Sequence, residues 1–130
     1  MKATVSWEHD LRFTCKTETG HTLELDGNGE TMTPMESVLL SVGVCSSIDV
    51  VDILKKSRKQ VDDCVCQLDA TRAEEAPRVF TSIHAHYIVK GQSLTEKNVA
   101  RAVQLSAEKY CSVMLMLTGN VEITTSFELA

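Results

Sequence analysis

The sequence lacks an excess of positive charge, an apolar beginning and a long uninterrupted apolar segment. Its 130 residues include 13 Lys and Arg against 18 Asp and Glu, which gives a net charge of −5. Because nucleic-acid-binding surfaces are basic, we expect no nucleic-acid partner. The first ten residues, MKATVSWEHD, do not read as a signal peptide. Polar residues interrupt the apolar segment 37–54, and we therefore expect no membrane span.

Cysteine is present five times, an odd number, and its spacing matches no disulfide framework. Without an export signal, the reducing cytoplasm is the expected location. A functional cysteine in that compartment would be catalytic, redox-active or bound to a metal. For Cys15 the residues alone favour a small core position.

Alternation of polar and apolar residues predicts six strands, and capping signals predict two main helices. The predicted strands are 2–7, 11–16, 21–25, 62–73, 78–90 and 121–128. The predicted helices are 33–57 and 93–110, and the apolar run 111–117 either continues the second helix or begins a short new one before Gly119. The order βββ-α-ββ-α-β predicts one α+β domain over 1–130, with antiparallel strands packed around a long central helix.

Each predicted helix starts with a capping box. The segment TPME at 33–36 offers an N-cap hydroxyl, a proline at the first helical position and a glutamate at the third. The segment SLTE at 93–96 repeats the hydroxyl and the glutamate. The first helix is apolar nearly all round, so we expect it to be central and buried.

A zinc site is one alternative, because Cys64, Cys66, His84 and His86 lie on neighbouring predicted strands. The pleat of the sheet argues against it. The cysteines share the apolar face of one strand, whereas the histidines lie on the polar face of the other. Pairing the two apolar faces predicts that Cys64 lies opposite Tyr87. The two cysteines are then small core residues, and the histidines are exposed.

Cys45 and Cys111 each lie in an apolar helical segment, in SVGVCSSIDV at 41–50 and in CSVMLML at 111–117. Free cysteine is among the most buried residue types, so the residues alone favour a core position for each.

The segments around these two cysteines resemble a known family. The stretch TPMESVLLSVGVCSSIDVVDIL (33–54) resembles the central helix of the OsmC/Ohr superfamily, and SAEKYCSVMLML (106–117) resembles its second cysteine segment. Between them, EEAPRVFTSIHAHYIV (74–89) resembles the long hairpin of that family. The similarity covers essentially the whole chain and is closest to the small YhfA-like branch. It implies the OsmC-like fold.

The resemblance also implies thiol-dependent reduction of organic hydroperoxides. In the better-known members one cysteine attacks the peroxide and a second resolves the product, and Cys45 and Cys111 match these positions. A sulfenic acid forms and condenses with the second thiol to a disulfide. This chemistry requires no metal, flavin or haem, so no cofactor is expected. An external dithiol must reduce the disulfide, and dihydrolipoyl groups do so for some members.

Two further site residues, Arg12 and Glu36, come from the same resemblance. Peroxidatic members carry a glutamate directly after the proline that opens the central helix. Met35 has that position here, and Glu36 follows one residue later, about 100° further round the helix. Arg12 is the candidate for the arginine that holds the thiolate.

Glu36 and Cys45 are separated by roughly 13.5 Å along one helix at 1.5 Å per residue. Glu36 would therefore act on Cys45 of a partner chain, in agreement with the homodimers of the family.

Two other interpretations stay open. The chain could be a non-enzymatic OsmC-fold dimer that binds a small apolar ligand or senses oxidants through its thiols. The other is a zinc-binding domain. Apolar residues around the cysteines, Val42, Val44 and 114–117, suit an apolar hydroperoxide but suit a core equally well.

Overall fold

Six strands and three α-helices follow one another in the predicted order. The structure is a computed structural model that describes residues 1–130. The strands are β1 (Ala3–His9), β2 (Arg12–Thr17), β3 (Thr22–Asp26), β4 (Gln60–Arg72), β5 (Phe80–Gln92) and β6 (Glu122–Leu129). The helices are α1 (Pro34–Lys56), α2 (Glu96–Leu105) and α3 (Ser112–Leu117), and a π-helical turn, Ser106–Tyr110, connects α2 with α3. The predicted α+β class is confirmed, and the residues fall into two units, 1–40 and 41–130.

The first unit contains an antiparallel sheet in the order β1-β2-β3. Cys15 lies on the central strand, opposite Val5 on one side and Leu23 on the other. It is half-buried and lines an apolar concavity of about 330 Å³. The other lining residues are Val5, Leu11, Phe13, Leu25, Asp26, Gly27 and Pro34.

Helix α1 begins with the predicted capping box. The N–H of Glu36 donates to Thr33 Oγ1 at 3.2 Å, and the N–H of Thr33 donates to Glu36 Oε1 at 3.0 Å. The helix is long and apolar enough to cross a membrane by length and composition, a test that core helices of soluble proteins also pass.

Only one face of α1 is buried, in contrast to the prediction of a helix covered all round. Its buried residues are Val42, Gly43, Ser46, Val50 and Leu54. On another face, Val44 is 59% exposed and Ile48 is 62% exposed. Apolar side chains of α1 therefore remain exposed in the single chain.

The second unit contains a sheet in the order β4-β5-β6. Strands β4 and β5 are antiparallel, but β5 and β6 are parallel. The prediction of antiparallel strands is therefore wrong for β6. The reason is the connection, because α2, the π-helical turn and α3 carry the chain across to start β6 in the direction of β5.

The β4–β5 register differs by two residues from the predicted one. Cys64 pairs with Val89, and Cys66 takes the position opposite Tyr87. Strand β5 begins at Phe80, so the connection is longer than the predicted turn, and the pairing is irregular near both ends of β4. An even shift leaves each side chain on its predicted face, and the two apolar faces do meet.

The four residues of the zinc alternative do not converge. His84 and His86 pair with Asp69 and Gln67 of β4, on the sheet face opposite to the cysteines. The histidines are half-buried rather than fully exposed, because side chains of β6 contact them. Their hydrogen-bond partners are Thr124, Ser126 and Glu128.

The second helical region starts later and breaks earlier than predicted. Thr95, not Ser93, is the N-cap of α2, and its Oγ1 accepts the N–H of Asn98 at 3.1 Å. The helix widens into the π-helical turn at Ser106, and Cys111 leaves helical geometry with φ −71° and ψ 101°. The run 111–117 therefore begins a new short helix, which is one of the two predicted alternatives.

Candidate functional site

Cys45 lies near the middle of α1 and is half-buried. Its helix neighbours Val42 and Ser46 are fully buried, so Cys45 lies at the border between the buried and exposed faces of the helix. The start of α3 surrounds its sulfur with donors. These are the backbone N–H of Val113 and the hydroxyl of Ser112, whose Oγ lies 3.7 Å from Cys45 Sγ.

Cys111 is fully buried and is the N-cap residue of α3. Its N–H donates to the carbonyl oxygen of Ser106 at 2.7 Å, which closes the π-helical turn. Its Sγ accepts the N–H of Met114 at 3.4 Å. The thiols of Cys45 and Cys111 lie close enough for each to change the pKa of the other. The structure thus brings together the two cysteines that the sequence singled out.

The two thiols differ in acidity. Burial raises the pKa of Cys45, but the Val113 N–H and the side chains of Cys111 and Ser112 outweigh burial, and this pKa lies below its ordinary value. Burial raises the pKa of Cys111 to about 11, and negative charge on Cys45 adds to this effect. Of the two thiols, Cys45 is therefore the one whose anion is favoured. This difference suits one sulfur to act as a nucleophile while the other waits as a thiol.

The cysteines of β4 differ from this pair. Burial raises the pKa of both Cys64 and Cys66, and the hydroxyl of Ser47, which contacts both thiols, offsets it only in part. Neither thiol is favoured as an anion, so the two residues provide internal controls for the reactivity of Cys45.

Tyr87 fixes the sheet against α1 beside Cys45. Its hydroxyl donates to Ser46 Oγ at 2.6 Å, and Ser46 Oγ donates to the Val42 carbonyl oxygen at 2.8 Å. Both side chains are buried, and burial holds the pKa of Tyr87 far above its ordinary value. The phenol therefore stays protonated and remains a donor.

Glu36 and Arg12 belong to the first unit, and each has partners there. The Thr33 N–H that Glu36 accepts in the capping box holds the pKa of Glu36 below its ordinary value. Arg12 Nη2 lies 3.7 Å from Asp26 Oδ2 and 3.4 Å from Glu30 Oε2. These contacts order the loop before α1. An action of either residue on Cys45 stays a prediction.

Sequence reasoning missed the donors around Cys45. Ser112 and Val113 directly follow Cys111, and the first N–H groups of a helix have no partner within that helix. The predicted alternative in which 111–117 begins a new helix already implied such N–H groups without a partner at its start. Sequence reasoning also missed Asp49 and Ser106, which hydrogen-bond to each other at 2.8 Å beside the two cysteines.

Comparison with known proteins finds relatives that match nearly the whole chain. A family model described as OsmC-like protein matches residues 27–126. The chain is 52% identical over 130 residues to Protein YhfA of Escherichia coli strain K12, with 98% of this chain and 97% of that protein covered. A hypothetical protein from Aquifex aeolicus VF5, solved as a crystal structure, is 34% identical with a TM-score of 0.90 and covers 99% and 95% of the two chains.

A fold neighbour carries a functional name. The organic hydroperoxide resistance protein OhrB of Bacillus subtilis is 17% identical, with a TM-score of 0.65 and 98% of each chain covered. At this identity the likeness is one of fold alone. The family model spans most of the chain and the YhfA relative nearly all of it, so the chain belongs to the OsmC family and has the OsmC-like fold.

Proposed function

We propose that the protein reduces organic hydroperoxides, with Cys45 as the attacking thiolate and Cys111 as the resolving thiol. The observation that carries this proposal is the proximity of Cys45 to the start of α3, where Ser112 Oγ lies 3.7 Å from Cys45 Sγ and the N–H of Val113 and the Cys111 thiol favour the anion on Cys45. Membership of the OsmC family, which includes hydroperoxide resistance proteins, supports the same chemistry.

The proposed reaction has three steps. The Cys45 thiolate attacks the distal oxygen of the hydroperoxide, the O–O bond breaks, and the alkoxide takes a proton from water to leave as an alcohol. The Cys111 thiol then attacks the Cys45 sulfenic acid, which yields the Cys45–Cys111 disulfide and water. An external dithiol of the dihydrolipoyl type supplies two electrons and two protons to restore both thiols. The chain's own sulfurs and this dithiol suffice, so the proposal includes no cofactor.

Exposed apolar residues on the elements that carry the cysteines support an apolar substrate. Val44 directly precedes Cys45 and is 59% exposed, and Met116 of α3 is 74% exposed. Val42 and Met114, by contrast, are buried and belong to the core. Only the exposed residues of this set are available to contact the organic group of a hydroperoxide.

The proposal includes a homodimer in the cytoplasm. The exposed apolar face of α1, with Val44 and Ile48, is one that a second copy would cover. A dimer would also provide the one arrangement in which Glu36 acts on Cys45, from the partner chain. Reduced thiols are maintained in the cytoplasm, where the dithiol reductant is also available.

A multiple-turnover assay tests the function. Wild-type protein with cumene hydroperoxide and excess dihydrolipoamide should consume many equivalents of peroxide. Cys45→Ser should abolish turnover, and Cys66→Ser should behave as wild type. With one equivalent of the peroxide and no dithiol, Cys111→Ser should stop at a sulfenic acid on Cys45. Consumption that is equally slow in wild type and Cys45→Ser would refute the proposal.

A thiol sensor is the second candidate, and the same assay separates it. The cysteine pair could register oxidants by a single reversible oxidation, an option favoured by the engagement of Glu36 in the helix cap. A sensor would form the Cys45–Cys111 disulfide after one equivalent of peroxide and would consume no more in the presence of the dithiol.

A further inference from the structure

Asp49 and Ser106 form a hydrogen bond beside the cysteine pair that the proposed reaction does not use. Ser106 Oγ donates to Asp49 Oδ2 at 2.8 Å and lies 3.4 Å from the carbonyl oxygen of Ser46. Ser106 is fully buried and Asp49 is half-buried. The bond therefore joins the π-helical turn to α1 in a position partly shielded from water.

Both residues connect directly to the cysteines. Asp49 follows Cys45 by four residues on α1, so their side chains lie on the same face of the helix. The carbonyl oxygen of Ser106 accepts the N–H of Cys111 at 2.7 Å. A chain of two hydrogen bonds thus runs from α1, through Ser106, to the backbone of Cys111.

We propose that Asp49 and Ser106 are positioning residues for the cysteine pair. Their hydrogen bond holds Cys111 within reach of Cys45, and the carboxylate charge of Asp49 limits the share of Cys45 that is thiolate. The biological use of this arrangement rests on the proposed function, but the arrangement itself concerns thiol chemistry alone.

The charge effect follows from like charges one helical turn apart. The titratable groups that act on Cys45 are Cys111 from the start of α3 and Asp49 from α1. Burial and the surrounding donors act most strongly on the pKa of Cys45, and the negative charge of Asp49 then raises it. The same charge raises the pKa of Cys111, after burial.

Substitutions can separate the hydrogen bond from the charge. Asp49→Asn removes the charge but keeps an oxygen that accepts from Ser106. Ser106→Ala removes the bond and keeps the charge, and Asp49→Ala removes both. Asp52→Asn is the matched control, because Asp52 lies on the same helix, is exposed and pairs with Lys56 at 2.7 Å.

Two measurements on the 130-residue chain read out the two effects. The first is the pH profile of Cys45 alkylation by iodoacetamide. The second is the rate of Cys45–Cys111 disulfide formation with diamide, which takes two electrons and two protons from the thiols and becomes the hydrazine.

The variants should respond differently. Asp49→Asn should alkylate about threefold faster at pH 7, with a midpoint at lower pH, and should form the disulfide no more slowly than wild type. Ser106→Ala should keep the wild-type midpoint and form the disulfide about tenfold more slowly. Asp49→Ala should show both changes and Asp52→Asn neither.

Equal midpoints for Asp49→Asn, Asp52→Asn and wild type would overturn the charge effect. Wild-type disulfide rates in Ser106→Ala and Asp49→Ala would overturn the positioning effect. If circular dichroism shows that Ser106→Ala is unfolded, the positioning effect is tested by comparing Asp49→Ala with Asp49→Asn. Equal rates of disulfide formation in these two variants would then overturn the proposal. The diamide assay contains no peroxide and therefore does not depend on the proposed function. If the protein does not reduce hydroperoxides, peroxide turnover will be absent, but the rate of disulfide formation with diamide will still depend on Ser106.

Discussion

The hydroxyl of Tyr87 donates to Ser46 Oγ at 2.6 Å and thereby ties the centre of β5 to α1, one residue away from Cys45. Both side chains are at most 1% exposed. A buried phenol without a partner would be costly, and this bond satisfies it.

Tyr87→Phe should lower the free energy of unfolding by about 1–2 kcal/mol, because it removes one buried hydrogen bond and leaves the ring packed. Urea unfolding followed by circular dichroism measures this loss. The control is the same substitution in a Ser46→Ala background, where the loss should shrink because the partner is already absent. An identical loss in both backgrounds would show that the bond contributes nothing.

Cys45 should be the fastest thiol of the folded protein to react with iodoacetamide. Its pKa is lowered, whereas burial raises the pKa of Cys64 and Cys66. The rate should fall as pH falls through the pKa of Cys45. Peptide mass spectrometry after brief labelling across a pH series assigns the rate to each cysteine.

Cys111 contributes to that reactivity through its thiol proton. Cys111→Ala should slow the alkylation of Cys45 at pH 7 by about threefold, since one donor to the anion is lost. Cys111→Ser, which keeps a hydroxyl donor, should stay closer to wild type. Faster alkylation in Cys111→Ala would contradict the role assigned to this bond.

The stability of the fold should decline above pH 9. Cys111 has a pKa of about 11 in the folded protein against an ordinary value of 9.0, with burial as the main cause. Burial also raises the pKa of Tyr87. Because these pKa values are raised by folding, their contribution is fully present below the unfolded value and is lost as pH rises through the folded value.

Urea unfolding at a series of pH values from about 8 to about 11 tests this linkage. The free energy of unfolding should decrease over that range, and Cys111→Ala should flatten the decrease. Cys45 does not cause this decrease, because its lowered pKa gives a contribution that is already complete at its ordinary value of 9.0. A free energy that is constant up to about pH 11 would contradict the assignment.

The fold was largely predictable because the strands alternate and α1 has a complete capping box at Thr33 and Glu36. Faces were predicted correctly, since a side chain changes face only when the register shifts by an odd number. The two-residue difference at Cys64 could not be foreseen, because it depends on the length of the β4–β5 connection and on pairing irregularities, which local pattern does not encode.

The site was predictable only in part. The resemblance indicated Cys45 and Cys111, but their proximity depends on how the chain turns at Ser106. The π-helical turn has no sequence signature as clear as a capping box. The donors Ser112 and Val113 gain their role only because Cys111 ends one helix and begins the next.

Gly43 permits α1 to lie close to β4. A Cβ at this position would be 2.8 Å from Leu68 Cδ1, so Gly43→Ala would force a shift of that side chain. We expect a loss of about 1 kcal/mol in the free energy of unfolding, although alanine favours a helix. In a Leu68→Ala background the same substitution should stabilise the protein instead. A gain in the wild-type background would show that Leu68 moves aside at no cost.

The exposed apolar face of α1 predicts that the protein is a dimer in solution. Val44 and Ile48 lie on this face, and exposed apolar patches often mark contacts between subunits. Light scattering at micromolar concentration should give twice the chain mass of 14.3 kDa. Ile48→Glu should shift the mass toward the monomer, because a charge would lose its water in the interface. Ile48→Val, which stays apolar, should remain dimeric. A wild-type monomer would contradict the prediction and would leave Glu36 without a route to Cys45.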